Sequence, residues 1–128
     1  MWTYNETTDF VKSSEEAGLS DQVREAIKQW SKDVRREQTN KTKLCFRSPK
    51  NIFEIWSARI PDPDHNKGAS GGFRLVYFFI LNEKGIHMCK IEGRRDMGFK
   101  NERPKDKVRY EKYLKELKKY LMDELEAD

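Results

Sequence analysis

Residues 73–82 constrain the fold more than any other segment of the chain, with the sequence Phe-Arg-Leu-Val-Tyr-Phe-Phe-Ile-Leu-Asn. Aromatic and β-branched residues dominate it, and such residues favour a strand buried in a sheet. The sequence Asn-Glu-Lys-Gly at 82–85 predicts a hairpin turn in which Gly85 adopts a positive φ. Residues 86–92 then form the second strand of the hairpin, and residues 52–60 predict an earlier strand.

Three further segments have the spacing and end residues of helices. Thr8 or Asp9 predicts the N-cap of a first helix, and Gly18 suits its C-terminal end. A second helix begins at residue 20 or 21, and Pro104 fits the first turn of a third. Apolar residues recur on one face of the later two helices: Val23, Ala26, Ile27, Trp30 and Val34 in the second, and Tyr110, Tyr113, Leu114, Leu117, Tyr120, Leu121 and Leu125 in the third.

The order of these elements predicts the fold class. Residues 2–7 alternate large apolar with polar side chains and predict a first strand, whereas residues 37–51 are polar and irregular. The order is therefore β–α–α–β–β–β–α, which predicts an α+β fold with an antiparallel sheet and helices packed mainly on one face. The length of 128 residues suits one domain spanning 1–128, with residues 103–128 as a C-terminal helix extension.

Composition and motif spacing exclude several classes of protein. No run approaches the roughly 20 apolar residues of a membrane span, and the N-terminus lacks the pattern of a secretory leader. We therefore expect a cytoplasmic protein whose two cysteines, Cys45 and Cys89, are reduced. The two cysteines and two histidines show no paired ligand spacing, so the sequence predicts no structural zinc site.

Positive charge is concentrated in the middle of the chain. Residues 41–109 carry 16 basic and 8 acidic side chains, a net charge of +8, whereas residues 1–40 and 110–128 each carry −2. Together these give the overall charge of +4. A basic centre is typical of proteins that bind a polyanion, most often nucleic acid. The alternative is a soluble surface that is simply rich in lysine and arginine.

Arginines at strand ends are the candidate phosphate ligands. Arg74 lies inside the most apolar strand, where a charge is costly unless it is paired or reaches solvent. The hairpin brings it near Arg94 and Arg95, and paired guanidinium groups match phosphate oxygens. Arg59 is the third member of this cluster, and Lys67 borders a glycine-rich loop. The alternatives are salt bridges to nearby acids such as Glu54, Glu92 and Asp96, and a flexible connector at the loop.

Segment 70–96 resembles the RelE/ParE superfamily of bacterial toxins, with the closer likeness to the RelE and HigB branches. The shared pattern is glycine, aromatic, arginine, two apolar residues and tyrosine, here Gly72-Phe73-Arg74-Leu75-Val76-Tyr77. A turn, a second strand and Gly93-Arg94-Arg95 follow. The resemblance implies a toxin of a type II toxin–antitoxin system with a RelE-like fold. It also implies an endoribonuclease that cleaves mRNA on the ribosome and is neutralised by a small antitoxin.

The resemblance also implies roles for individual residues. Arg74 takes the role of the strand arginine that binds the scissile phosphate, and Arg95 that of the arginine that helps the leaving group. RNA contacts are assigned to five further basic residues: Arg59, Lys67, Arg94, Lys100 and Lys50. The chemistry is attack of a 2′-hydroxyl on the adjacent phosphorus, and it requires no metal or cofactor. The implied partners are mRNA on the ribosome and a cognate antitoxin, without a membrane.

The sequence departs from RelE at two places. Where RelE has lysines, strand 52–60 has Ile55, Trp56 and Ser57, and the residues just after Arg95 include no tyrosine. The general base and the general acid are therefore not assigned. Two other functions stay open: a RelE-fold protein that binds RNA or the ribosome without cleaving, and a gyrase inhibitor similar to ParE.

Overall fold

A five-stranded sheet with helices on both faces forms the body of the protein. The computed structural model describes residues 2–33, 42–61, 72–93 and 104–126, with the side chains of 33 and 104–107 excepted. The elements, in chain order, are β1 (Thr3–Glu6), α1 (Thr8–Glu16), α2 (Asp21–Asp33), β2 (Thr42–Arg47), β3 (Phe53–Ile60), β4 (Phe73–Ile80), β5 (Gly85–Gly93) and α3 (Pro104–Leu121). A π-helical turn, Met122–Glu126, continues α3.

The strand order is β1-β5-β4-β3-β2. The β4–β5 hairpin is confirmed, and all neighbouring pairs are antiparallel except β1 and β5. The parallel pair joins the first and the last strand in the sequence, and such a pair requires a long connection. Here the whole intervening chain provides it. The predicted α+β class with an antiparallel sheet is therefore confirmed, with one parallel strand added at the edge.

Strand β2 lies in the segment that the sequence predicts to be irregular. A β-bulge between Leu44 and Phe46 puts Cys45 and Phe46 on the same face of the sheet. Leu44 packs on the opposite face. A bulge interrupts the two-residue alternation by which a half-buried strand is recognised. The prediction for residues 37–51 is therefore wrong over β2, because the strand has no regular period.

Both faces of the sheet are buried, which explains why β4 is apolar along almost its whole length. The first face, the α1/α2 face, packs Phe10, Val23 and Ile27 of the two helices against alternate strand residues. The second, the α3 face, buries the other set of strand residues against α3: Phe53, Ile55, Val76, Phe78, Ile80 and Cys89. Two of the three helices therefore share one face, as predicted, and α3 covers the other.

The N-terminal ends of the helices differ from the prediction by one residue at most, and Val34, predicted in the second helix, lies outside the described residues. Thr7 is the N-cap of α1, one residue before the predicted Thr8 or Asp9, and its side chain accepts a hydrogen bond from the Phe10 backbone N–H. Gly18 follows α1 with a φ of 67°, a conformation that glycine adopts without strain. Ser20 caps α2 as predicted, since its side chain accepts a hydrogen bond from the Val23 N–H.

The turn between β4 and β5 uses a different residue from the predicted one. Lys84 has the positive φ, 52°, and Gly85 does not. Gly85 is instead favoured by a close approach, because a Cβ there would lie 2.9 Å from His87 Nε2. The prediction of a turn is confirmed. The role of Gly85 in it is to leave room for the His87 side chain, not to adopt a positive φ.

Helix α3 buries its apolar stripe with one exception. Leu114, Leu117 and Leu121 pack on the sheet, whereas the Tyr120 side chain is 61% exposed. Successive residues of an α-helix differ by about 100° around the axis, so Tyr120 turns away from the sheet when Leu121 faces it. The prediction that Tyr120 joins the core is therefore wrong.

Candidate nucleic-acid interface

Four cationic residues lie in neighbouring strands at one end of the α3 face. Arg59 of β3 and Arg74 of β4 are direct cross-strand partners. One pair further along the strands, Ser57 is the partner of both Lys43 in β2 and Val76 in β4. Val76 is in turn the partner of Lys90 in β5. Direct cross-strand partners share a face of the sheet. We call Lys43, Arg59, Arg74 and Lys90 the basic row.

Like charges face each other within the basic row. Residues in direct cross-strand positions have Cβ atoms about 5 Å apart, and like charges there are destabilising. Arg59 and Arg74 occupy such a pair. The cross-strand partner of Arg74 on its other side is Glu92. Glu92 binds two further cations: its carboxylate lies 3.3 Å from Lys90 Nζ and 3.7 Å from Arg109 Nη2. Among the described residues, the register and the ion pairs therefore place Glu92 beside Arg74, Lys90 and Arg109, a charge balance that favours an anionic ligand.

Two tyrosines of α3 cover the basic row. The Arg74 Cζ atom lies 4.0 Å from the centre of the Tyr110 ring, and Lys90 Nζ lies 4.7 Å from the centre of the Tyr113 ring. Both distances are in the range of cation–π interactions. Tyr110 and Tyr113 are three residues apart, so they project from the same side of the helix. These tyrosines, which the sequence predicts as core, are therefore also part of the candidate site.

Burial keeps both phenols protonated. It raises the pKa of Tyr110, and the interaction of the phenol oxygen with the Ser57 side chain lowers it only in part. Burial, with the negative charge of Asp9 nearby, raises the pKa of Tyr113 far above its usual range. At neutral pH both hydroxyls are neutral hydrogen-bonding groups and are poorly suited to act as general bases.

The crevice between the basic row and the tyrosines is narrow. It is lined by Arg74, Val76, Lys90, Glu92, Tyr110 and Tyr113 and has a free volume of about 10 Å³. That is room for about one water molecule. A nucleotide does not fit beneath α3. An anionic ligand is therefore expected to approach the cations beside Arg59, whose side chain is exposed.

The structure places only some of the predicted site residues. Arg59 and Arg74 are brought together, as the sequence analysis predicts. Gly93 ends β5 as the cross-strand partner of Phe73, next to Arg74. Four of the predicted residues lie outside the described parts of the chain: Lys67, Arg94, Arg95 and Lys100. Their roles remain predictions.

Lys50 lies away from the other predicted residues. It is in the turn before β3, beyond Phe53, whereas Arg59 is near the other end of that strand. The six residue-to-residue steps from 53 to 59 span roughly 20 Å. The Lys50 backbone N–H donates to Glu126 Oε1 at 3.0 Å, and its Nζ donates to the Glu126 carbonyl at 3.1 Å. Lys50 therefore holds the end of the α3 extension and is not part of the basic row.

Glu54, an alternative partner for Arg74 in the sequence analysis, is on the other face of the sheet. Its buried carboxylate accepts hydrogen bonds from Arg47 Nε at 2.7 Å and from Trp56 Nε1 at 3.1 Å. Trp56 belongs to the α1/α2 face. The buried acid therefore has its own partners and does not neutralise the basic row.

Four residues of the site were not identified from the sequence: Lys43, Lys90, Arg109 and Tyr110. Lys90 carries the same signal as Arg74, a charge inside an apolar strand, and the hairpin register could have located it. Lys43 was not identified because β2 was not recognised. Helical periodicity places Tyr110 on the apolar side of α3, but nothing local in the sequence indicates that Arg109 and Tyr110 reach the basic row, because that depends on where α3 packs.

The described residues contain neither a membrane-spanning helix nor a cluster of metal-binding side chains. Within residues 2–33, 42–61, 72–93 and 104–126, no helix is long and apolar enough to cross a membrane. The same part of the chain contains no group of three histidine, cysteine, aspartate or glutamate residues that could hold a metal ion.

Fold and site together define an α+β protein with a covered sheet face that carries a cationic row at one end. A solved structure, an archaeal RelE–RelB complex from Pyrococcus horikoshii OT3, shares this architecture with a TM-score of 0.51. The match covers 73% of this chain and 94% of that chain at 15% sequence identity. The protein therefore has a RelE-like fold. Neither a protein-family model nor a curated protein matches the sequence.

Proposed function

We propose that this protein is the toxin of a type II toxin–antitoxin system, an endoribonuclease of the RelE/HigB kind that cleaves mRNA on the ribosome. The observation that carries the proposal is the direct cross-strand pair of Arg59 and Arg74 on a RelE-like fold. Two guanidinium groups held side by side on rigid strands match the oxygens of a phosphate. Such a pair has a cost in stability that an RNA phosphate would relieve.

In the proposed reaction the 2′-hydroxyl oxygen of one nucleotide attacks the adjacent phosphorus, and the bond from phosphorus to the 5′-oxygen breaks. The 2′-hydroxyl loses its proton to a base, and the leaving oxygen gains one from an acid. Arg74 binds the scissile phosphate and stabilises the charge that develops on it. Arg95 assists the leaving group. Arg59, Lys67, Arg94 and Lys100 contact the RNA, and the register adds Lys43 and Lys90 to that set.

An antitoxin is the second proposed partner. The similar archaeal structure contains RelE bound to RelB. By analogy with that complex, we propose that a small protein encoded with this chain binds it and blocks the basic row. Both partners would act in the cytoplasm.

The test is to induce the wild type and the double variant Arg74→Ala/Arg95→Ala in a bacterial host and to map mRNA 5′ ends. We expect new 5′ ends at in-frame positions and arrested growth with the wild type, and neither with the variant. The matched control is Lys28→Ala/Lys32→Ala, which also removes two positive charges but from exposed positions of α2. This control should cleave like the wild type. Equal cleavage by both double variants would exclude the proposed site.

A second function, RNA binding without cleavage, is favoured by the raised pKa values of Tyr110 and Tyr113. Those phenols stay protonated at neutral pH, so neither of the two tyrosines acts as the base. The same induction distinguishes the two functions when purified protein is tested in parallel for RNA binding. Salt-dependent binding without new 5′ ends would support this second function.

A further inference from the structure

Tyr110 of α3 contacts the arginine on which the proposed function depends. The Arg74 guanidinium lies over the Tyr110 ring, with Cζ 4.0 Å from the ring centre. The ring itself packs on the apolar α3 face, next to Ser57 of β3. The packing of Tyr110 on the sheet therefore holds its ring in contact with Arg74.

The charges of its two cross-strand partners act on the Arg74 guanidinium in opposite senses, so a fixed contact surface helps to define its orientation. Arg59 repels it from one neighbouring strand, and Glu92 attracts it from the other. An arginine side chain has several rotatable bonds, and ordering it costs conformational entropy. Stacking on an aromatic ring uses the flat face of the guanidinium and leaves the direction of its in-plane N–H groups defined.

Helix α3 is held near both of its ends, so the position of Tyr110 is well determined. Next to Tyr110, Arg109 Nη2 lies 3.7 Å from the Glu92 carboxylate. At the far end, Lys50 binds Glu126. Between these points Leu114, Leu117 and Leu121 pack on the sheet. The extension is thereby fixed on the sheet with its tyrosine over the basic row.

We propose that Tyr110 is a positioning residue, which orients the Arg74 guanidinium by cation–π stacking so that it binds an RNA phosphate. This inference rests on the proposed function of Arg74. It gives α3 a role in the site as well as in the core, and it identifies an aromatic residue that no motif around Arg74 contains.

The first test is equilibrium binding of a short single-stranded 2′-O-methyl RNA, which lacks the 2′-hydroxyl nucleophile. The variant Tyr110→Leu keeps an apolar side chain but removes the π-system, and it should bind about 3- to 10-fold more weakly. Tyr110→Phe keeps the ring and loses only the hydroxyl, so its affinity should stay within about 2-fold of the wild type. Equal weakening by both variants would contradict the stacking role.

A double-mutant cycle separates positioning from general destabilisation. If Tyr110 acts through Arg74, then Tyr110→Leu should have no further effect on RNA affinity once Arg74→Gln is present. The same fold-loss in both backgrounds would overturn the proposal, because the effect would then not pass through Arg74.

A measurement without RNA keeps this inference distinct from the proposed function. The order parameter of the Arg74 Nε–Hε bond, measured by NMR relaxation on the full chain, should fall in Tyr110→Leu and not in Tyr110→Phe. An unchanged order parameter in Tyr110→Leu would refute the positioning role. If Arg74→Gln binds RNA as tightly as the wild type, the phosphate role of Arg74 fails, and this NMR result still decides whether Tyr110 positions it.

Discussion

At the level of single residues, Arg59 and Arg74 form a candidate site whose arrangement lowers the stability of the fold. They occupy direct cross-strand positions of β3 and β4, where like charges repel. Arg74 is half-buried under Tyr110, whereas Arg59 is exposed. An acid as the cross-strand partner of Arg74 in both neighbouring strands would be more stabilising. Its partner in β5 is the acid Glu92, but its partner in β3 is Arg59. An RNA phosphate, the ligand proposed above, would add negative charge next to this pair.

The variant Arg59→Gln should therefore be more stable than the wild type. Removal of the repulsion from Arg74 should raise the free energy of unfolding by about 0.5 kcal/mol at low ionic strength. The gain should shrink as salt is added, because salt screens charges at the surface. Urea unfolding at two ionic strengths measures both effects. Lys28→Gln, an exposed charge on α2, is the control and should change stability little. A less stable Arg59→Gln would contradict the prediction.

At the level of elements, α3 contributes both to the core on the second sheet face and to the candidate site at its end. It covers the apolar residues of that face and reaches the basic row with Arg109 and Tyr110. Its C-terminal turn is tied to the β2–β3 connection by Glu126, a buried acid that accepts a hydrogen bond from the Lys50 N–H. Helix and site are therefore energetically linked, since loosening α3 would also release Tyr110.

Neighbouring residues of α3 provide a test of how firmly it is packed. Leu121 is 3% exposed and Tyr120 is 61% exposed. Leu121→Ala leaves a cavity and should lower the free energy of unfolding by about 2–5 kcal/mol. Tyr120→Ala should change it by less than about 0.5 kcal/mol. Urea unfolding of the two variants checks this, and similar losses for both would mean that α3 does not pack as described.

At the level of the whole molecule, the distribution of charge along the chain supports the proposed polyanionic partner. The net charge of +8 in residues 41–109 coincides with the strands that build the basic row. The acidic flanks contribute α1, α2 and most of α3, which cover the two faces. Positive charge is therefore concentrated in the part of the chain that contains β2 to β5, and such a concentration attracts a polyanion to these strands.

The salt dependence of RNA affinity measures how many phosphates that region binds. For single-stranded nucleic acid, the logarithm of the binding constant falls with the logarithm of salt concentration by about 0.7 per phosphate neutralised. Arg59→Gln should reduce the slope by about 0.7, and Lys28→Gln should leave it unchanged. Fluorescence anisotropy over a salt series gives the slopes. An identical slope for wild type and Arg59→Gln would remove Arg59 from the interface.

The sequence by itself determined the elements whose signals are local. The β4–β5 hairpin, the cap at Ser20 and the left-handed Gly18 follow from residues a few positions apart. The importance of Arg74 was also visible, because a charge in an apolar strand stands out against its immediate neighbours. Its pairing with Arg59 could be predicted once two strand ends were placed side by side, and the register confirms it.

Only the tertiary structure decided the rest. Strand β2 escaped prediction because its bulge removes the alternation that marks a strand, and Lys43 was missed with it. Tyr110 looks like a core residue in the sequence, since helical periodicity reports which side of a helix is apolar and not what that side meets. Its contact with Arg74 joins residues that are 36 positions apart (110 − 74). Such a contact exists only because α3 folds back onto the sheet, which depends on the summed packing of distant side chains.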